Sequence, residues 1–144
     1  MNREGKLMIK FNALIPEISV KNIEKSKEFY ISILGFKLEY ERIFDKFIFL
    51  SFEEAQLMIE EINGNWSVGK ISYPFGNGVN FQISTENIDD IYKKCKQKKI
   101  NFFREMMINE YKIDNQVITE KEFLIQDPDG YLIRFQKTIK NQAI

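Results

Sequence analysis

Apolar and polar residues alternate with a period of two along several short stretches of this chain, most cleanly over residues 122–136, EFLIQDPDGYLIRFQ. There Tyr131, Ile133 and Phe135 fall on one face, and Leu132, Arg134 and Gln136 on the other. Between the apolar runs stand Asp127, Pro128, Asp129 and Gly130. These suit a type I turn: an Asp that can bond the turn backbone, a Pro that presets φ, and a Gly for the left-handed position that follows. The stretch is predicted to be a β-hairpin. One face is apolar enough for a core. The other carries Arg134 in mid-strand, where a buried charge is costly unless paired.

The same periodicity orders the rest of the chain. Residues 1–10 read as a loose terminus or a short lead-in strand. Residues 11–20 are strand-like, with Glu17 and Ser19 opposite Ile18 and Val20; Pro16 cannot donate to a ladder, so this strand belongs at an edge or is irregular there. Asn22 is a good N-cap, and Ile23, Ser26, Phe29, Tyr30 and Ile33 recur at helical spacing until Gly35 stops the helix. Three strands follow, over 36–43, 46–52 and 55–62, the last with Leu57 and Ile59 opposing Gln56, Met58 and Glu60. Residues 63–78 break the pattern with four of the seven glycines and with Trp66, Tyr73, Pro74 and Phe75, and read as a connection. The order then repeats: a strand carrying Asn80, a helix over 87–98 with Ile88, Ile91, Tyr92 and Cys95 as its stripe, weaker strands or loop over 101–107 and 109–117, and the hairpin. The predicted fold class is α+β: two βαβββ modules (about 11–62 and 78–137, joined by 63–77) forming a curved mixed sheet with a concave cup and outer helices. Matched by position, Glu17 corresponds to Asn80 and Glu60 to Arg134.

Composition narrows the chemistry. The chain of 144 residues has a formal net charge of zero, which gives no pull toward nucleic acid or anionic membrane. No apolar run approaches the roughly 20 residues that span a bilayer, and the first residues lack the pattern of a signal peptide. One cysteine, Cys95, permits no internal disulfide, so a cytoplasmic location is expected. There is no histidine, which removes the commonest metal ligand and neutral-pH base and excludes Cys/His zinc sites and His-dependent nucleophiles.

With helices on one side of the sheets, Glu17, Glu60, Asn80 and Arg134 would share the open side. They can form a ligand site, or an internal ion pair of Arg134 with Glu60 or Glu17. Two carboxylates and an amide can hold a hard divalent ion, but Arg134 beside them repels one. Trp66, Tyr73 and Phe75 offer flat surfaces to an aromatic ligand or fill the core between modules. Cys95 reads as a small buried hydrophobe, Met106 and Met107 as pocket-lining or strand-face residues, and the lysines of 93–99 as a solvated helix face.

Three segments, IPEISVKNIEKSKEFYISILGFKLEYE, PFGNGVNFQIS and DPDGYLIRF, resemble the vicinal oxygen chelate superfamily over about residues 12–137. That superfamily includes glyoxalase I, extradiol dioxygenases, fosfomycin-modifying enzymes and bleomycin resistance proteins. In metal-using members the ligands come from the first and last strands of each module, which the resemblance places at Glu17, Glu60, Asn80 and Arg134. An arginine there departs from the His and Glu of the metal-using pattern. The chain looks closest to the bleomycin resistance branch, whose members bind drug without chemistry as homodimers with grooves shared between subunits. The resemblance thus implies a cytoplasmic, homodimeric, non-catalytic protein without cofactor or metal. It would hold a small, partly aromatic ligand, bleomycin or a molecule of that kind, through Glu17, Glu60, Trp66, Asn80 and Arg134. A metal-dependent lyase or dioxygenase is the alternative; zero net charge speaks against a cationic drug.

Overall fold

The computed structural model describes residues 8–144. Two four-stranded mixed sheets build an α+β fold. The first holds β1 (Glu17–Val20), β2 (Lys37–Arg42), β3 (Phe47–Phe52) and β4 (Ala55–Glu61) in the order β1-β4-β3-β2. The second holds β5 (Asn80–Ser84), β6 (Phe102–Ile113), β7 (Gln116–Gln126) and β8 (Leu132–Ala143) in the order β5-β8-β7-β6. In each, the first strand pairs parallel with the last and the others are antiparallel. A helix makes each crossover: α1 (Ile23–Lys27), continued by a π-helical turn over Glu28–Ile33, and α2 (Ile88–Gln97).

Local chemistry sets these boundaries. Asn22 caps α1 by accepting from the Lys25 N–H at 3.1 Å. The π turn closes where the Leu34 N–H reaches the Phe29 carbonyl, and Gly35 at φ 87° ends the run. Regular β1 begins only after Pro16 and pairs with β4 alone, the edge position its missing donor requires. The segment before it, 11–16, is not a strand. The expected break near residue 108 is absent. β6 runs on to Ile113 and turns at Asp114, whose φ of 50° suits an aspartate. Consequently β6, β7 and β8 outlast β5 and extend past the body of the sheet. Of the lead-in expected over 1–10, residues 1–7 lie outside the described part and 8–10 form no strand.

The core lies between the helices and the inner faces of both sheets. Ile18, Val20, Ile48, Leu50, Leu57 and Ile59 come from the first sheet, and Ile83, Phe123, Ile125, Ile133 and Phe135 from the second. Phe29, Tyr30, Ile88, Ile91 and Cys95 close it from the helices. Burial of these side chains is the main stabilising term. Cys95 is fully buried, which pushes its thiol up to about 11 and makes it inert at neutral pH. No helix among the described residues is long and apolar enough to cross a membrane.

Candidate functional site

Strand register decides what faces the open side. Glu17 sits beside Met58 and Ser19 beside Glu60; Asn80 sits beside Leu132 and Gln82 beside Arg134. The two modules therefore repeat the same offset, and all four polar residues lie on the faces turned away from the helices. Contacts then divide them into two groups.

In the first group, Glu17 and Glu60 are near neighbours. Partial burial, the Glu60 charge and, in opposition, Arg42 act on Glu17, with a net rise of its carboxyl above the usual range. Glu60 is 6% exposed and accepts from the side-chain amide of Asn63. Its floor is aromatic: Tyr40 stacks on Phe49 at 5.2 Å, and the Arg42 guanidinium lies 3.9 Å from the Phe47 ring centre. Trp66 is 68% exposed, so it is not packed into the core. It borders a cavity of about 520 Å³ with Glu60 and Arg42, and another of about 460 Å³ with Glu17 and Phe75. Phe44, fully exposed in the β2–β3 turn, also lines the first cavity. Sequence reading missed Phe44 and Arg42. A bare aromatic in the turn IFDK was the available signal for the former.

In the second group, Arg134 pairs with neither Glu60 nor Glu17, contrary to the internal ion pair expected from the sequence. Its partner is Glu122 on β7, at 3.7 Å. Glu122 lies on the adjacent strand and the same face, whereas Glu17 and Glu60 belong to the other sheet. Glu122 is fully buried. It accepts from Asn109 Nδ2 at 3.0 Å and from the Tyr111 hydroxyl, a bond that raises the Tyr111 phenol. Glu122 was not legible as a site residue, because in EKEFLIQ it reads as one more charge at a strand's start.

Asn80 is exposed and lines a third cavity of about 290 Å³ at the junction of the modules, with Gln82, Pro16, Tyr30 and Leu57 among its walls. The cavities that hold Glu17 or Glu60 include neither Asn80 nor Arg134, and this one includes neither glutamate.

The hairpin turn fastens the halves together. The Tyr30 hydroxyl donates to Asp127 at 2.7 Å, the Lys21 N–H to Asp129 at 3.2 Å, and the Tyr131 hydroxyl to the Ser19 carbonyl at 2.8 Å. Burial pushes the Asp127 carboxyl up to about 6, although the Tyr30 hydroxyl and the N–H groups of Tyr131 and Asp129 favour its charged form. Phe75, 3% exposed, packs edge-on against Tyr131. Gly130 is required twice over: its φ is 95°, and a Cβ there would meet Pro74 at 2.7 Å. Phe75 is thus core, and Tyr73 stays exposed.

A divalent ion does not fit these residues. Among the described residues no three His, Cys, Asp or Glu side chains converge to hold a metal. Glu17 and Glu60 come together, but the matched place on the last strand of the second module holds a guanidinium bound to its own carboxylate.

Comparison with known proteins gives a consistent picture. Residues 11–135 match the model of the Glyoxalase/Bleomycin resistance protein/Dioxygenase superfamily. A lactoylglutathione lyase of Neisseria meningitidis is 32% identical over 126 residues, covering 82% of this chain and 84% of the relative. A bleomycin resistance protein of Geobacillus stearothermophilus is 28% identical over 136 residues, covering 88% and 97%. Among solved structures, a glyoxalase/bleomycin resistance protein/dioxygenase from Alicyclobacillus acidocaldarius superposes with a TM-score of 0.65 at 23% identity, covering 90% of this chain and 92% of that one. TioX from Micromonospora sp. ML1 superposes with a TM-score of 0.70 at 10% identity, covering 90% and 100%; at such identities the likeness concerns the fold.

Proposed function

Because this chain belongs to the Glyoxalase/Bleomycin resistance protein/Dioxygenase superfamily, we propose that it is a non-catalytic binding protein that sequesters a small, partly aromatic molecule. The observation that carries this reading is Arg134 in the matched place of the second module, neutralised by the buried Glu122. A guanidinium there repels a divalent ion, and the chain has no histidine, the commonest group for moving a proton at neutral pH. Binding needs neither.

The roles divide between the groups. Trp66, exposed on the cavities that hold Glu60 and Glu17, offers a face for stacking. Glu17 and Glu60 supply acceptors for polar hydrogens or a cationic centre on the ligand. Asn80 and Arg134 supply donors at the other group. Because none of these three cavities holds residues of both groups, the reading includes a homodimer whose groove brings them together across subunits, in the cytoplasm. The likeness to bleomycin resistance proteins and to lactoylglutathione lyases supports both a drug-binding version and an enzymatic alternative.

Titration calorimetry with metal-free bleomycin tests the drug version. Saturable heat that Trp66→Ala greatly weakens is expected, and no heat at high micromolar protein rejects it. Turnover of the hemithioacetal of methylglyoxal and glutathione after loading with nickel or zinc would replace the binding reading with the lyase.

A further inference from the structure

Glu122 is a fully buried carboxylate whose hydrogen bonding is only half complete. Both donors that reach it, Asn109 and Tyr111, bond Oε2. Oε1 has no hydrogen-bond partner among the described residues, and its nearest cation, Arg134 Nη1, stands off at 3.7 Å. Nε of Arg134 is likewise buried and without a hydrogen-bond partner among the described residues. Such groups are uncommon and point to a missing partner. One acceptor and one donor are therefore left over, one on each member of a pair whose charges cancel.

We infer that Glu122 and Arg134 form a receptor for a neutral group carrying one hydrogen-bond donor beside one acceptor, the edge of a lactam or a carboxamide. This deepens the binding reading above and rests on it. Charge selects the class: an anion meets the carboxylate of Glu122 and a cation meets the guanidinium of Arg134, while a neutral donor–acceptor edge satisfies both leftover atoms. Access is divided to match. Glu122 is held by Asn109 and Tyr111 with its side chain 1% exposed, whereas the Arg134 side chain is 32% exposed and is the side from which the group approaches. Leu124 and Leu132 flank Arg134 on the same face and suit the carbon skeleton of such a ligand.

The test uses the full chain labelled with ¹⁵N, reading dissociation constants from backbone amide shifts of β7 and β8. The probes are 2-pyrrolidinone, its N-methyl derivative, which lacks the donor, and acetate. For the natural sequence, pyrrolidinone should bind at least about tenfold more tightly than its N-methyl derivative, the value of a hydrogen bond to a charged group, and acetate should not compete. Glu122→Gln makes a sharper prediction. Tyr111 and Asn109 hold the carbonyl oxygen of the new amide, so its NH₂ replaces Oε1 and a donor stands where an acceptor was. The preference for pyrrolidinone should then disappear. If that variant does not fold, Arg134→Gln serves: loss of the guanidinium donor should weaken both lactams alike, by about tenfold or more. Equal binding of the two lactams to the natural sequence, a preference that survives Glu122→Gln, lactam binding that Arg134→Gln leaves unchanged, or tighter binding of acetate would overturn the inference. Loss of the lactam preference with bleomycin heat intact removes this inference alone; a lactam preference without bleomycin heat keeps it and removes only the drug version of the binding reading.

Discussion

Glu60 and Arg134 occupy matched places in the two modules: each lies on the last strand, beside the third residue of its first strand. Their surroundings differ in kind. Glu60 is served by a local amide, Asn63, at the edge of a cavity beside the exposed Trp66. Arg134 faces a carboxylate buried beneath it on the neighbouring strand, itself clamped by two donors from β6. The backbone repeats while the chemistry has diverged. A charge reversal at one place needed a compensating residue at another, because an unpaired charge at a half-buried position is costly. The turns preceding the last strands diverge in the same way. Glu53 and Glu54 in the first module are exposed, whereas Asp127 and Asp129 in the second are buried and bonded to the first module.

The largest effect should come from removing the compensating residue. Glu122→Ala leaves Arg134 without its counter-charge and Tyr111 and Asn109 without an acceptor, and should cost about 3 kcal/mol in urea denaturation, the low end for a broken buried pair because Arg134 is partly solvated. Glu60→Ala should cost about 1 kcal/mol or less. Equal losses would dissolve the contrast between the modules.

The turn provides the next test, through pH. The folded-state pKa of Asp127 is raised from 3.8 to about 6. Its contribution is therefore fully present below 3.8 and is lost as pH rises through about 6. Relative to Asp127→Asn, the natural protein should lose on the order of 2 kcal/mol of stability between pH 4 and pH 7. Parallel stability curves would contradict this. Tyr30→Phe removes one of the bonds joining the modules and should cost about 1 kcal/mol, measured by thermal unfolding. Last, Trp66→Ala should change stability by no more than about 0.5 kcal/mol, since its side chain is largely exposed, while weakening ligand binding. A larger stability loss would assign Trp66 to packing.

Much of this was legible beforehand because it is local. The Asp127–Gly130 turn, the Asn22 cap, the alternation of Tyr131, Ile133 and Phe135, and the strand-helix-strands order each follow from a few adjacent residues. The offset shared by Glu17 with Asn80 and by Glu60 with Arg134 followed from the repeat, and the register reproduces it. What escaped depends on pairing between distant segments. Glu122 becomes the partner of Arg134 only once β7 and β8 are in register and Tyr111 arrives from β6. The continuous β6 was hidden because two register shifts interrupt its alternation, between Phe102 and Arg104 and between Arg104 and Met107. Charge at a strand's start gave no sign of burial at Glu122, just as aromaticity at Trp66 gave none of exposure.

On the proposed reading, the guanidinium of Arg134, paired with the buried Glu122, stands where the family resemblance places a metal ligand. Elemental analysis of protein purified without tag or chelator tests it. Manganese, iron, nickel and zinc should each be far below one equivalent per chain; a stoichiometric amount of any of them would contradict the claim.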